Sequence, residues 1–155
     1  ARIAGYGASS DGTHLLQPDA EGQARAMTNG LRDAGLAPQD VQYLNAHGAG
    51  STLGDAVEVQ AIRLAFGSHA QSLAISSTKA LHGHMLGATG AAELLALIVA
   101  LNDGLIAPTA NLYDPDPDLD LDFVPLHARQ GPPLNAAMSS NFAFGGSNAC
   151  LLLTR

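Results

Sequence analysis

The sequence predicts a layered α/β domain with a mixed five-stranded sheet and one buried helix. Short β-friendly runs ended by glycine alternate with runs whose apolar residues recur at helical spacing. The runs follow the order β-α-β-α-β-α-β-β, which fits helices packed on a mixed sheet. The third helical run is apolar nearly all round, so it is expected inside the protein.

Each element has its own warrant. "ARIAGYG" (1–7) reads as a strand closed by a turn. "DAEGQARAMTNGLRDAGL" (19–36) reads as a helix. Asp19 is its N-cap, Ala24, Met27, Leu31 and Ala34 form its apolar stripe, and Gly35 is its stop. "VQYLNAH" (41–47) is a second strand, running into the glycine turn "GAGSTLG". "GDAVEVQAIRLAFG" (54–67) is a second helix, with Val57, Ala61, Leu64 and Ala65 on its inner face. "SLAISST" (72–78) is a third strand and "GAAELLALIVALNDG" (90–104) the third helix. A Pro- and Asp-rich stretch, 105–133, is expected as a long surface or functional loop. "AAMSSNFAF" and "NACLLLT" flank Gly145-Gly146-Ser147 as a closing hairpin.

Composition narrows the function. By length the 155 residues are one domain or part of a larger one, and 46% hydrophobic content supports a core. Net charge is −7 and the seven Lys and Arg residues are scattered, which argues against nucleic acid and against anionic membranes. The most apolar run, 91–101, is short for a membrane span. One cysteine, Cys150, allows no internal disulfide and fits a reducing, cytoplasmic setting. The start shows no signal peptide and no Met, so a longer parent polypeptide is expected.

Chemistry-bearing groups gather where strands end. "NAHGAGSTLGD" (45–55) puts His47 at a strand end beside glycines. "STKALHGHMLGATG" (77–90) holds the single lysine, Lys79, with His82 and His84, ahead of the apolar helix. "NFAFGGSN" (141–148) is a glycine turn between Phe142 and Phe144. Taken singly, each histidine also reads as a hydrogen-bonded structural residue, and His82 with His84 lacks a clear third metal ligand. Phosphate-binding, dinucleotide-binding and serine-hydrolase signatures are missing. Cys150 lies in an apolar run and reads as a buried, inert thiol.

In this order the three stretches closely resemble the C-terminal half of the β-ketoacyl-acyl-carrier-protein synthases, condensing enzymes of thiolase-like fold. "YLNAHGAGSTLGDAVEVQAI" is similar to their first histidine motif. "SSTKALHGHMLGATGAAE" resembles the lysine and second-histidine motif, and "NFAFGGSNACLLL" the terminal hairpin. The likeness covers nearly all of 1–155, read as one C-terminal ketosynthase domain.

The resemblance implies a decarboxylative Claisen condensation in fatty-acid or polyketide synthesis. A malonyl thioester would react with an acyl group held on a cysteine. It implies His47 and His84 as donors to a thioester oxygen, with Lys79 behind them, paired to Glu93. Phe144 would gate the acyl pocket and Phe142 line it. Gly145 and Gly146 would let that loop move, and Asn148 would anchor it. Ser51 would touch the phosphopantetheine arm. No metal or separate cofactor is implied. The implied partners are an acyl carrier protein, the N-terminal ketosynthase half and a second copy in a homodimer.

Three departures stand out. The family's nucleophilic cysteine belongs to its N-terminal half, and Cys150 does not match it, so this segment alone is expected to be inactive. Ala49 and Ser51 stand where threonines are common. Leu16 and Gln17 stand where related enzymes often carry hydroxyls. A non-catalytic, chain-length-factor-like partner is a second reading, although such partners usually lose the histidines. A metal-dependent hydrolase using His47, His82, His84 and Asp55 is a third.

Overall fold

The computed structural model describes residues 1–155. The strands are β1 (Arg2–Ser10), β2 (Tyr43–Asn45), β3 (Ala74–Ser76), β4 (Leu105–Ile106), β5 (Arg129–Gln130), β6 (Ala136–Ala143) and β7 (Ser147–Thr154). The helices are α1 (Ala20–Ala34), α2 (Thr52–Phe66), α3 (Lys79–His82) and α4 (Thr89–Asp103). Five strands form one mixed sheet in the order β1-β7-β6-β2-β3. β2 runs parallel to both β3 and β6, while β7 is antiparallel to β6 and to β1.

Two apolar clusters make this a three-layer domain. On one face, Met27 and Leu31 of α1 and Ile62 and Phe66 of α2 meet Leu44, Met138 and Leu152 of the sheet. On the other, Leu97 and Leu101 of α4 meet Tyr43, Ala137 and Leu153. Helix α1 begins as read, with the Asp19 carboxylate accepting the Gly22 N–H, and ends at Gly35 in the left-handed region.

Several expectations change. β2 and β3 are three residues each, so His47 and Lys79 stand just past the strand ends. The inner face of α2 is Glu58, Val59, Ala61, Ile62 and Phe66, and Leu64 points to solvent. Glu58, Ile62 and Phe66 lie at i, i+4 and i+8, the stripe that follows the sheet. Helix α4 is buried on one face only. Glu93, Leu97 and Leu101 are covered, while Leu95 is 65% exposed and Ile98 and Val99 are partly open. The stretch Leu86–Asp103, 18 residues, is also long and apolar enough to cross a membrane by length and composition, which corrects the shorter reading. Glu93 sits in the middle of it, ion-paired to Lys79.

The 105–133 stretch is not wholly irregular. β4 and β5 pair within it, and the Asp122 carbonyl accepts the Ile75 N–H, binding it along the free edge of β3. Arg129 grips Asp122 with two N–H donors at 2.6 and 2.8 Å, and this holds the Asp122 carboxyl below its usual range. Arg63 of α2 pairs with Asp120.

Candidate active site

Parallel strands β2 and β3 end side by side, and everything polar in the site leaves from those ends. After β2 the chain turns through His47 and Gly48. Gly48 has φ +37°, and a Cβ there would lie 2.6 Å from that of Ser77, so only glycine lets the two strand-end loops touch. Asn45, fully buried, ties the loops further. Its amide donates to the Thr78 hydroxyl at 2.8 Å, and its carbonyl accepts the Thr78 N–H at 3.1 Å.

Lys79 opens α3 and points inward. Its Nζ lies 2.5 Å from Glu93 Oε1, with both side chains out of solvent. Glu93 Oε2 accepts from Ser139 Oγ at 2.9 Å and from the Asn141 amide at 2.5 Å. Three donors therefore saturate the buried carboxylate.

The two motif histidines meet in front of this pair. Their ring centroids are 5.6 Å apart with planes at 87°, edge to face. His84 Nδ1 accepts the Leu86 N–H at 3.2 Å and lies 3.1 Å from the Thr89 hydroxyl. His47 Nδ1 accepts the Phe142 N–H at 3.4 Å. A backbone N–H can only donate, so in a neutral His84 the ring proton sits on Nε2, while His47 Nδ1 also faces the accepting Asn141 Oδ1 at 3.4 Å. Neither Nε2 bonds to another group of the chain. Burial, then the Lys79 charge, pushes His47 down to about 4, so it is neutral at physiological pH.

The remaining expected residues divide. The Phe142 ring packs on His47 at 5.8 Å. Phe144 stands 79% exposed at the hairpin turn. Gly145 and Gly146 have φ of +81° and +73° and are tied down by backbone bonds to Leu15 and Asp11. A Cβ on Gly146 would lie 2.6 Å from that of Asp11. The Asn148 amide donates to Asp11 at 2.5 Å and to Ser9 and the Gly146 carbonyl at 3.2 Å, joining the hairpin to the end of β1. Ser51 is the N-cap of α2, accepting the Gly54 N–H, with its hydroxyl exposed. Cys150 is buried in the core against α1 and α2, and burial pushes its thiol up, so it stays protonated. His47, His82, His84 and Asp55 do not form a metal-ligand group. His82 instead sits in the Asn45–Thr78 network, 3.0 Å from the Thr78 hydroxyl.

Two further groups, Asn141 and the buried Glu58, escaped the sequence reading. Asn141 bridges Lys79, Glu93 and the His47 ring from one amide. Glu58 receives the His47 and Gly48 N–H groups at 2.8 Å each. Helical spacing with Ile62 and Phe66 was the signal that places Glu58 inside. Beside the histidines a cavity of about 540 Å³ is lined by Glu58, Lys79, His84, Asp55, Thr109 and Phe123, among others. His84 borders it and His47 does not.

Comparison with known proteins places the fold in a family. The family model for the β-ketoacyl synthase C-terminal domain matches residues 1–113. The chain is 48% identical over 157 aligned residues to the 3-oxoacyl-[acyl-carrier-protein] synthase 2 of Coxiella burnetii, covering 100% of this chain and 38% of that protein. It is 48% identical over 151 residues to nodulation protein E of Rhizobium sp. strain N33, covering 97% and 37%. A β-ketoacyl synthase structure from Burkholderia phymatum superposes with TM-score 0.92 at 42% identity, over 99% of this chain and 37% of that one. The ishigamide ketosynthase/chain length factor superposes with TM-score 0.93 at 34% identity, over 98% and 37%. The chain thus spans under two fifths of the length of these relatives. The thiolase-like α/β fold coincides with these matches, and the chain belongs to the β-ketoacyl synthase family, as its C-terminal domain.

Proposed function

We propose that the chain is the C-terminal part of a 3-oxoacyl-[acyl-carrier-protein] synthase and supplies the half of its active site that decarboxylates a malonyl thioester. In that step the bond to the carboxylate breaks and CO₂ leaves. The electron pair moves toward the thioester oxygen, and the resulting carbanion attacks the acyl thioester. The costly feature is charge on that oxygen, and fixed N–H donors lower it. The His47–His84 edge-to-face pair, with neither Nε2 bonded to another group of the chain, carries this reading. A neutral His47 still carries one ring N–H donor, and the Lys79 ammonium behind it adds positive potential.

The nucleophile belongs to a complementing N-terminal half, in the same polypeptide or another. The apolar outer face of α4, with Leu95, Ile98 and Val99, is the natural seat for it. Substrates would arrive on the phosphopantetheine of an acyl carrier protein, in the cytoplasm, with no further cofactor, and the complete protein would be a homodimer. Ser51, Phe142, Phe144, Gly145, Gly146 and Asn148 would border the substrate arm and acyl chain. A partner subunit without chemistry of its own has no need of the assembled His47–His84–Lys79 cluster.

The test is CO₂ release from malonyl-acyl carrier protein by the chain assembled with its nucleophile-bearing half. His47→Ala and His84→Ala should each cut release by about 10²–10³. Unchanged release in both variants would reject the assignment.

A further inference from the structure

We infer that Thr89, the first residue of α4, is a positioning residue of the site: its buried hydroxyl ties the His84 imidazole to the helix that also carries Glu93. This rests on the donor role proposed for His84.

Two donors from different places hold the His84 ring. One is the Leu86 N–H, 3.2 Å from Nδ1. Leu86 is 80% exposed and has φ +51°, a left-handed conformation that leucine rarely adopts. Residues 84–88 around it are exposed, so that bond ties the imidazole only to its own surface loop. The other donor is the Thr89 hydroxyl at 3.1 Å. The Leu86 bond makes Nδ1 an acceptor, so the hydroxyl must donate. Thr89 is buried, and His84 Nδ1 is the partner its hydroxyl has. A buried hydroxyl without a partner is costly, so residue and ring hold each other in place.

Helical spacing extends the effect. Thr89 and Glu93 stand at i and i+4, neighbours on the buried face that continues to Leu97 and Leu101. One turn of α4 therefore meets His84 through a hydroxyl and Lys79 through a carboxylate. The imidazole and the ammonium keep their relative places because one rigid element carries both partners. The second donor also draws electron density from Nδ1, which strengthens Nε2–H as a donor to charge growing on the thioester oxygen. Thr89 itself acts through His84.

The experiment uses the chain assembled with its nucleophile-bearing half. It compares wild type with Thr89→Val, which swaps the hydroxyl for a methyl, and Thr89→Ser, which keeps the hydroxyl. Imidazole ¹⁵N NMR, with His84 assigned by its loss in His84→Ala, reports the bond. CO₂ release from malonyl-acyl carrier protein reports the chemistry. Thr89→Val should move the Nδ1 resonance downfield, toward that of a free acceptor nitrogen. Its kcat should fall by about three- to tenfold with KM little changed, and Thr89→Ser should restore both readings. An Nδ1 resonance unmoved in Thr89→Val would overturn the inference. Release that falls in His84→Ala but not in Thr89→Val would overturn it as well. Release unchanged even in His84→Ala, with the resonance moved in Thr89→Val, would uphold the Thr89–His84 bond and reject the donor role of His84 instead. If Thr89→Val fails to fold, Thr89→Ala removes the same donor, and the same outcomes decide.

Discussion

Lys79 Nζ and Glu93 Oε1 lie 2.5 Å apart, fourteen residues from each other in sequence, with almost no solvent at either group. Their meeting accounts for the single lysine of the chain. A buried ion pair adds little net stability over an apolar pair, but removing one member strands the other. Lys79→Met should destabilise the protein by about 3 kcal/mol, since the Ser139 and Asn141 donors to Glu93 do not replace a full charge. For a chain of this size that is a fall in Tm of roughly 10 °C. Calorimetry showing a shift within a degree would mean the pair contributes nothing to the fold.

Glu58 and His47 should make opposite contributions to pH-dependent stability. Burial pushes Glu58 up to about 7, against the N–H bonds from Gly48 and His47 that pull it down. Asp55, Lys79 and Cys150 are the other titratable groups near it. Between pH 4.5 and 7 the folded state holds a proton on Glu58 that the unfolded state has lost, so stability falls as pH rises. His47, pushed down to about 4, stays neutral where the unfolded histidine is charged, so its contribution rises with pH between 4 and 6.5. The two nearly cancel in wild type. Urea unfolding from pH 4.5 to 6.5 should show stability rising with pH in Glu58→Gln and falling in His47→Gln. Each slope has a ceiling of about 1.4 kcal/mol per pH unit. Slopes of the same sign in both variants contradict the assignment.

The same groups shape the activity profile. Protonating Glu58 removes the charge that strengthens its bonds from the His47 and Gly48 N–H groups, while the Ser140 hydroxyl can turn to accept the new O–H. The decarboxylation proposed for the chain assembled with its nucleophile-bearing half should decline as pH falls through about 7, while His47 remains neutral well below that. In Glu58→Gln this acid limb should vanish, leaving a lower and flatter profile. A limb that survives the substitution must come from another group.

Much of this was legible in the sequence, for identifiable reasons. Asp19 and Gly35 bound α1 as read because caps act locally. The hairpin β6–β7 was marked by Gly145-Gly146, and the three motif stretches lead to one place because parallel strand ends share an edge. The phase of α2 was misread because Leu64 is apolar yet faces water, while Glu58 is charged yet faces the core. Hydropathy alone cannot reveal that a carboxylate has backbone donors waiting for it. Asn141 was silent for the same reason, since its role exists only once β6 lies beside Lys79. The half-open α4 looked like a fully buried helix because its outer stripe is as apolar as its inner one.

That outer stripe leads to a last prediction. A helix with Leu95 at 65% exposure and Ile98 and Val99 partly open beside it is costly in water unless something covers it. The groove next to it, lined by Leu81, Ala92, Leu95 and Val99, continues the apolar surface to α3 and His82. Leu95→Asp touches no core contact of this chain, so its own fold should keep the wild-type Tm within a few degrees. The same change places a charge in the proposed seat of the N-terminal half, and an unpaired charge buried at an interface costs several kcal/mol. Co-purification with the nucleophile-bearing half should then fall by at least a hundredfold in affinity. Wild-type co-purification of Leu95→Asp would place that half on another face of the domain.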